Sequence, residues 1–324
     1  MSTAAGQLDL TTLLDRGDAY ARGGDPRAAM SFYQAALKSA HQARYVDGPT
    51  LERLRGAQQF LQSRAQEFEQ SLERILGESR PEDPVAALRL SHSLEMLRGK
   101  REIHLQHPSV LYYPYLAQRQ FFEREEFEWV AELEAQTPAI RDELLGLLQE
   151  DAEFRPYIED EANRPHRDFH GLNNDPSWSA LYLWRESRVV QENAARCPRT
   201  MAALEKVPLS AIGTRTPAVL FSRLEPGAHI PPHHGMLNCR LICHLPLIVP
   251  PGCWLRVGNE TREWEEGKLL IFDDSIQHEA KNPTGELRII LLFDVWRPEL
   301  TPAEREGISA IFEAIDRFQT LPDA

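Results

Sequence analysis

The sequence predicts a two-part α+β chain: an all-helical N-terminal region, then an antiparallel β sandwich or barrel with flanking helices. Two observations carry this. In the N-terminal third, apolar side chains recur at helical spacing within Ala-, Leu-, Gln- and Arg-rich stretches. From Ala218 onward the apolar runs shorten to strand length and are punctuated by Pro and Gly. A chain of 324 residues is long enough for two domains, each with its own core.

The first two helices are expected from Thr12 to Ala21 and from Pro26 to Arg44. Between them, Gly23-Gly24-Asp25-Pro26 reads as a stop followed by a start, with Asp25 as N-cap and Pro26 at the first helical position. Gly17, Tyr20, Ala29, Tyr33 and Ala36 fall at offsets that resemble one tetratricopeptide repeat, where small residues let two antiparallel helices approach. One repeat cannot bury its apolar face alone, and no second copy stands out. A small helical bundle with one repeat-like hairpin and a peptide-binding repeat array both stay open. A third helix, Leu51 to Leu76, carries an apolar stripe through Leu54, Phe60, Leu61, Ala65, Phe68, Leu72 and Ile75. A fourth runs from Pro84 to about Arg98, after a Pro-containing break. His107-Pro108 and Tyr112-Tyr113-Pro114-Tyr115 then open an irregular aromatic segment, which divides the chain into domains 1–105 and 106–324.

Glu125 to Glu150 returns to helix. Arg155 to Ser177, rich in Asn, Asp, His and Pro, reads as a long loop of the kind that walls an active site. Strands are expected at Val219–Phe221, Leu241–Val249, Cys253–Val257, Leu269–Phe272 and Ile289–Val295, with a closing helix from Pro302 to Phe318.

Composition narrows the function. With 36 basic and 49 acidic residues the net charge is −13, which argues against partners that are nucleic acids or anionic membranes. Cys197, Cys239, Cys243 and Cys253 form no CxxC pair, and the first residues show no secretory pattern; both fit a reduced, cytoplasmic protein. No apolar stretch is long enough to span a membrane as a helix.

His229, His233, His234, His244 and His278 all lie in the β region. His233 follows Pro231-Pro232, just after a strand and a Pro-Gly turn; His278 follows Phe272-Asp273-Asp274-Ser275, at the end of an apolar strand. Arg288 follows ten residues after His278, in the strand Leu287–Phe293, where five strand steps would put it deep in a barrel with its fork free for a carboxylate. A metal pair with a carboxylate-binding arginine is one reading. Hydrogen-bonded histidines and an ion-paired arginine are the other.

A longer series of motifs favours the first. Pro232-His233-His234-Gly235, Asn238-Cys239-Arg240-Leu241, His244-Leu245, Val257-Gly258-Asn259-Glu260-Thr261, Trp264-Glu265-Glu266-Gly267-Lys268, Phe272-Asp273-Asp274-Ser275, His278-Glu279 and Asp294-Val295-Trp296 follow in order. Together they resemble the aspartyl/asparaginyl β-hydroxylase family, closely over residues 218–303 and more loosely upstream to about residue 110. The resemblance implies a double-stranded β-helix, or cupin-like jelly roll, and a Fe(II)/2-oxoglutarate-dependent dioxygenase that uses O2. It implies that His233 and His278 hold the iron, and that Gly235 stands where wider relatives place a carboxylate ligand. Arg288 and Ser222 would take the distal carboxylate of 2-oxoglutarate, His244 would stand near its other carboxylate, and Arg240 and Asp274 would hold the substrate. His234 is a bystander, and Ile242 replaces a second arginine that the family can place there. The expected target is the β-carbon of Asp or Asn in a peptide, protein, or free or carrier-bound amino acid, with succinate and CO2 as coproducts. The helical domain is expected to meet a protein partner. Two rival expectations are a hydrolase with a three-His metal set (His233, His244, His278) and a catalytically silent interaction protein.

Overall fold

The computed structural model describes residues 8–43, 45–78, 81–150, 152–160 and 165–320. Arg44, the expected end of the second helix, and positions 161–164 of the long loop lie outside the described residues. The chain divides into two compact units, Met1–Arg101 and Glu102–Ala324, against the 105/106 division read from the sequence.

The first unit holds α1 (Leu10–Arg22), α2 (Pro26–Gln42), α3 (Gly48–Glu78) and α4 (Pro84–Leu97). Asp9, Asp25 and Asp83 cap three of them, accepting from the backbone N–H groups of Thr12, Ala28 and Ala86 at 2.8, 3.0 and 2.8 Å. Leu13, Leu14, Ala29, Tyr33, Ala36, Leu54 and Ala57 form the core of this unit. Gly17 lets α1 and α2 close on each other, since a Cβ there would fall 2.5 Å from the Tyr33 ring. The Tyr33 hydroxyl donates to Asp18 at 2.8 Å, and Arg53 of α3 ties Asp15 and Asp18. α4 buries none of its residues, so among the described residues the close packing is confined to one hairpin and the start of α3.

The second unit contains β1 (Phe121–Phe122), β2 (Arg155–Pro156), β3 (Trp178–Arg185), β4 (Arg188–Val189), β5 (Val219–Leu224), β6 (His229–His233) and β7 (Arg240–Ile248). They are followed by β8 (Trp254–Val257), β9 (Glu260–Glu263), β10 (Leu270–Phe272), β11 (His278–Lys281) and β12 (Arg288–Trp296). The larger sheet runs β1-β10-β7-β12-β5-β3-β2, with β4 on β3; the smaller runs β6-β11-β8-β9. Every strand pairing is antiparallel. Trp178, Leu224, Ile242 and Phe272 of the larger sheet pack with Ile230, Leu255, Val257 and Ala280 of the smaller in one apolar cluster. Two antiparallel sheets closed face to face over a shared interior make a double-stranded β-helix, the cupin-like jelly roll.

The helices are α5 (Val130–Ala135), α6 (Thr137–Gln149), α7 (Gln191–Ala194), α8 (Pro198–Leu204) and α9 (Pro302–Thr320). Val130, Leu133, Ile140, Leu144, Leu147 and Leu204 pack on Leu241, Cys243, Leu245, Ile289, Leu291 and Phe293, the outer face of the larger sheet. Because side chains alternate along a strand, this leaves Arg240, Ile242 and His244 of β7, and Arg288, Ile290, Leu292 and Asp294 of β12, facing the interior. Buried Glu143 of α6 caps α8, accepting from the Arg199 and Thr200 N–H groups at 2.7 and 2.9 Å.

Some sequence expectations are corrected. The single helix from Glu125 to Glu150 is broken into a 3-10 turn, α5 and α6, with Pro138 at the start of α6, where its missing N–H costs nothing. The long loop feeds β3, a strand of the larger sheet absent from the strands expected above. β6 went unread because Pro231-Pro232 suggests a turn; it is an edge strand, where proline is tolerated.

Replacing Gly17 with Ala should force Tyr33 aside and cost about 1–3 kcal/mol in chemical denaturation followed by circular dichroism. Replacing exposed Gly56 of α3 with Ala, where an added Cβ meets nothing within 4 Å, should stabilise by about 0.5–1 kcal/mol.

Candidate active site

β6 and β11 are paired so that His233 lies directly opposite His278. Their ring centroids are 4.1 Å apart. Each ring faces a backbone carbonyl through Nδ1: His233 reaches Pro231 at 2.8 Å and His278 reaches Ile276 at 3.1 Å. A carbonyl only accepts, so both protons sit on Nδ1 and both Nε2 lone pairs stay free. Burial lowers the pKa of both, which keeps them neutral as ligands must be. His278 does not end an apolar strand, as expected, but begins β11 after the Asp273-Asp274-Ser275 turn.

That turn is anchored from outside. Asp273 is fully buried and accepts from Arg297 Nη1 at 2.8 Å and Gln106 Nε2 at 2.6 Å. Its other oxygen accepts from the Ser275 backbone at 3.0 Å and from the Ser275 hydroxyl at 2.5 Å. Asp273 caps the turn, and Asp274 is free to face inward. Gly235 is where the two meet, for a Cβ at this position would fall 2.0 Å from Asp274 Oδ2. The space two residues after His233 is thus filled by the Asp274 carboxylate, and a side chain at 235 is excluded. Two neutral imidazoles side by side suit a first-row transition metal such as iron, zinc, copper or nickel. Among the described residues no group of three or more His, Cys, Asp or Glu converges as a metal site. A three-His set including His244 therefore lacks its geometry.

Arg288 opens β12 on the larger sheet, across the interior from the histidine strands. It is 1% exposed, and its Nη1 donates to the Ser222 carbonyl at 3.2 Å and hydroxyl at 3.4 Å. Among the described residues no carboxylate pairs with it, its Nε has no partner, and burial pulls its pKa down to about 10. A buried guanidinium without a counter-ion is a costly arrangement that a bound anion relieves. His244 is buried on the same interior face; Trp264 Nε1 donates to its Nδ1 at 3.3 Å, and burial holds its pKa well below the usual histidine range.

Arg240 and Asp274 are brought together, not apart. Arg240 Nη2 donates to Asp274 at 3.1 Å and Nη1 to Asp294 at 3.1 Å. Burial works against the Arg240 charge, yet the two carboxylates raise its pKa; burial in turn lifts both carboxyls to about 6 despite the arginine. Arg240 Nε and Asp274 Oδ1 remain buried and unpartnered. Arg240 is 8% exposed, a buried charge rather than a surface one. Sequence reasoning missed Asp294, although it shares the inward face of β12 with Arg288, and Trp264, which has no periodic signal because it lies between strands. Phe169, from the long loop read as an active-site wall, and Trp178 just beyond it line the His233 side, with rings 5.3 and 6.3 Å from that of His233. His234 is exposed beside His107, outside this constellation. Ile242 sits in the apolar cluster with Phe272 and Trp178.

Residues 134–298, half of the chain, match the profile of the aspartyl/asparaginyl β-hydroxylase family. The chain belongs to this family. Its relatives include the mouse aspartyl/asparaginyl β-hydroxylase, 40% identical over 57% of this chain and 24% of that one. Another is the Rhizobium tropici ornithine lipid ester-linked acyl 2-hydroxylase, 38% identical over 55% of this chain and 60% of that one. The matched segment spans about a quarter of the mouse protein's length. A Pseudomonas putida prolyl-4-hydroxylase overlays with a TM-score of 0.30 at 15% identity, over 52% of this chain and 99% of that one.

Gly235→Ala should destabilise by about 1–3 kcal/mol in urea denaturation, and most of that added cost should vanish in an Asp274→Ala background. His244 has a folded pKa below its unfolded value, so its contribution to stability is full above the unfolded pKa and is lost as pH falls. Between pH 6 and 5 the stability difference should therefore move in favour of a His244→Gln variant by about 1 kcal/mol.

Proposed function

We propose that this chain is a Fe(II)- and 2-oxoglutarate-dependent dioxygenase that hydroxylates the β-carbon of an Asp or Asn unit in a peptide, protein, or free or carrier-bound amino acid. The observation that carries this reading is Arg288, a buried cation with no carboxylate partner among the described residues, on the interior face that looks toward two ligand-ready imidazoles. A dicarboxylate cosubstrate supplies the missing anion. His233 and His278 would hold the iron through Nε2, and Arg288 with Ser222 would grip the distal carboxylate. When bound, iron with 2-oxoglutarate and O2 supplies the oxidation, with succinate and CO2 as coproducts and one oxygen atom passing to the substrate C–H bond.

The chain's own residues bind, orient and exclude water. His244, acceptor at Nδ1, keeps its proton on Nε2 and can donate to the nearer carboxylate. Arg240 Nε and Asp274 Oδ1, a donor and an acceptor within one ion pair, suit the polar groups of an Asp or Asn unit. Arg240 is already shared by two carboxylates, so a substrate carboxylate would be its third partner. Phe169 and Trp178 keep the His233 side dry.

A scaffold protein would have no use for a buried, uncompensated guanidinium. The four cysteines are free and buried, which supports a reducing, cytoplasmic setting. Exposed Phe68, Ile75, Leu88 and Leu97 support a protein partner on the helical unit.

The test incubates the protein with Fe(II), 2-oxoglutarate, ascorbate and air, with a panel of Asp and Asn peptides, free amino acids and fatty-acyl lipids. Succinate is followed by NMR and a gain of one oxygen by mass spectrometry. His278→Ala should abolish succinate formation, and Arg288→Lys should raise the KM for 2-oxoglutarate by roughly 10–100-fold. Absence of 2-oxoglutarate turnover with every substrate sinks the proposal; oxygen found only on an acyl chain keeps the cofactors but overturns the Asp/Asn assignment.

A further inference from the structure

Trp264 lies between β9 and β10 and is 5% exposed. Nothing in its spacing marks it, yet it touches both groups assigned above to the 2-oxoglutarate carboxylates. Its indole N–H donates to His244 Nδ1 at 3.3 Å. Its ring face lies under the Arg288 guanidinium, 4.6 Å from carbon Cζ to the ring centroid.

Each contact does something distinct. An indole nitrogen can only donate, so His244 Nδ1 can only accept, and the imidazole proton is confined to Nε2. The other tautomer would set two buried donors against each other. The indole face offers Arg288 electron density where the protein provides no carboxylate, without using up the hydrogen-bonding fork. A carboxylate in this place would satisfy Arg288 permanently and close the pocket to an anion.

We propose that Trp264 is the positioning residue of the cosubstrate pocket: its edge fixes His244 as a hydrogen-bond donor and its face steadies Arg288 while leaving that cation open. This rests on the reading of the pocket as a 2-oxoglutarate site. Its position after the Gly258–Glu263 hairpin also links the cosubstrate site to the smaller sheet, since the Trp264 N–H donates to the Cys253 carbonyl at 3.2 Å.

Trp264→Phe retains an aromatic face but has no N–H. Calorimetric titration of 2-oxoglutarate into the Mn(II)-loaded full chain should show Kd raised roughly five- to twentyfold. In turnover, KM for 2-oxoglutarate should rise by a similar factor, far more than kcat falls. Long-range 15N NMR of the metal-free protein should show His244 as the Nε2–H tautomer in the wild type and as a mixture in Trp264→Phe. Trp264→Leu, which removes the face as well, should bind more weakly still. Unchanged Kd and tautomer in Trp264→Phe overturn the inference, as does a fall in kcat with KM intact, the mark of a packing role alone. A folded wild-type protein that gives no binding heat with 2-oxoglutarate instead sinks the underlying reading of the pocket, and this inference with it.

Discussion

The antiparallel pairing of His278 with His233 is the constraint on which the site depends. A strand has a side-chain period of two, so a slip of one residue would turn His278 outward and bring Glu279 in. Two sets of contacts resist that slip. The turn before His278 is anchored from outside by the fully buried Asp273–Arg297 pair. On the outer side, Glu279 is held by His229 of β6 at 2.7 Å and by Arg256 of β8. An irregularity in the ladder between His278 and Ala280 marks where this strand bends.

The interior handles its two site arginines in opposite ways. Arg240 lies between two carboxylates, which compensate its charge while its Nε stays without a partner. Arg288 has a serine, a backbone carbonyl and an aromatic face, none of them an anion. A compensated charge is held in place by its partners. An uncompensated one costs folding free energy and returns it on binding. Ile242 fits the same economy of charge: with an apolar side chain there, packed by Phe272, the end of the pocket near Arg288 and His244 carries a single permanent cation.

Gly235 and Asp274 show how one small residue can decide a neighbour's place. The carboxylate occupies the volume that a side chain at 235 would need, so no side chain can stand two residues after His233. Because Asp273 takes the turn-capping hydrogen bonds, its neighbour keeps an oxygen, Oδ1, without a partner inside the protein.

Local chemistry made part of this readable in the sequence. Asp25 before Pro26 announces a helix start, because a side-chain acceptor and a fixed φ act within one turn of chain. The apolar runs of β7 and β12 announce strands, and the spacing of His233, His278 and Arg288, read with the motifs around them, pointed to one cavity. Which strands met was not readable. Proline-bearing β6 looks like a turn until its partner β11 is known, and that His278 and Arg288 belong to different sheets shows only in the pairing of β11 with β6 and of β12 with β5 and β7. Arg240 with Asp294 and Trp264 with His244 are contacts between residues 54 and 20 apart in the chain. Sequence by itself determined periodicity, caps and the kinds of donor available, since these arise from neighbouring dihedrals and side-chain chemistry. Only sheet closure decided which donors share a face and which charge is left without a partner, because that depends on register between distant segments.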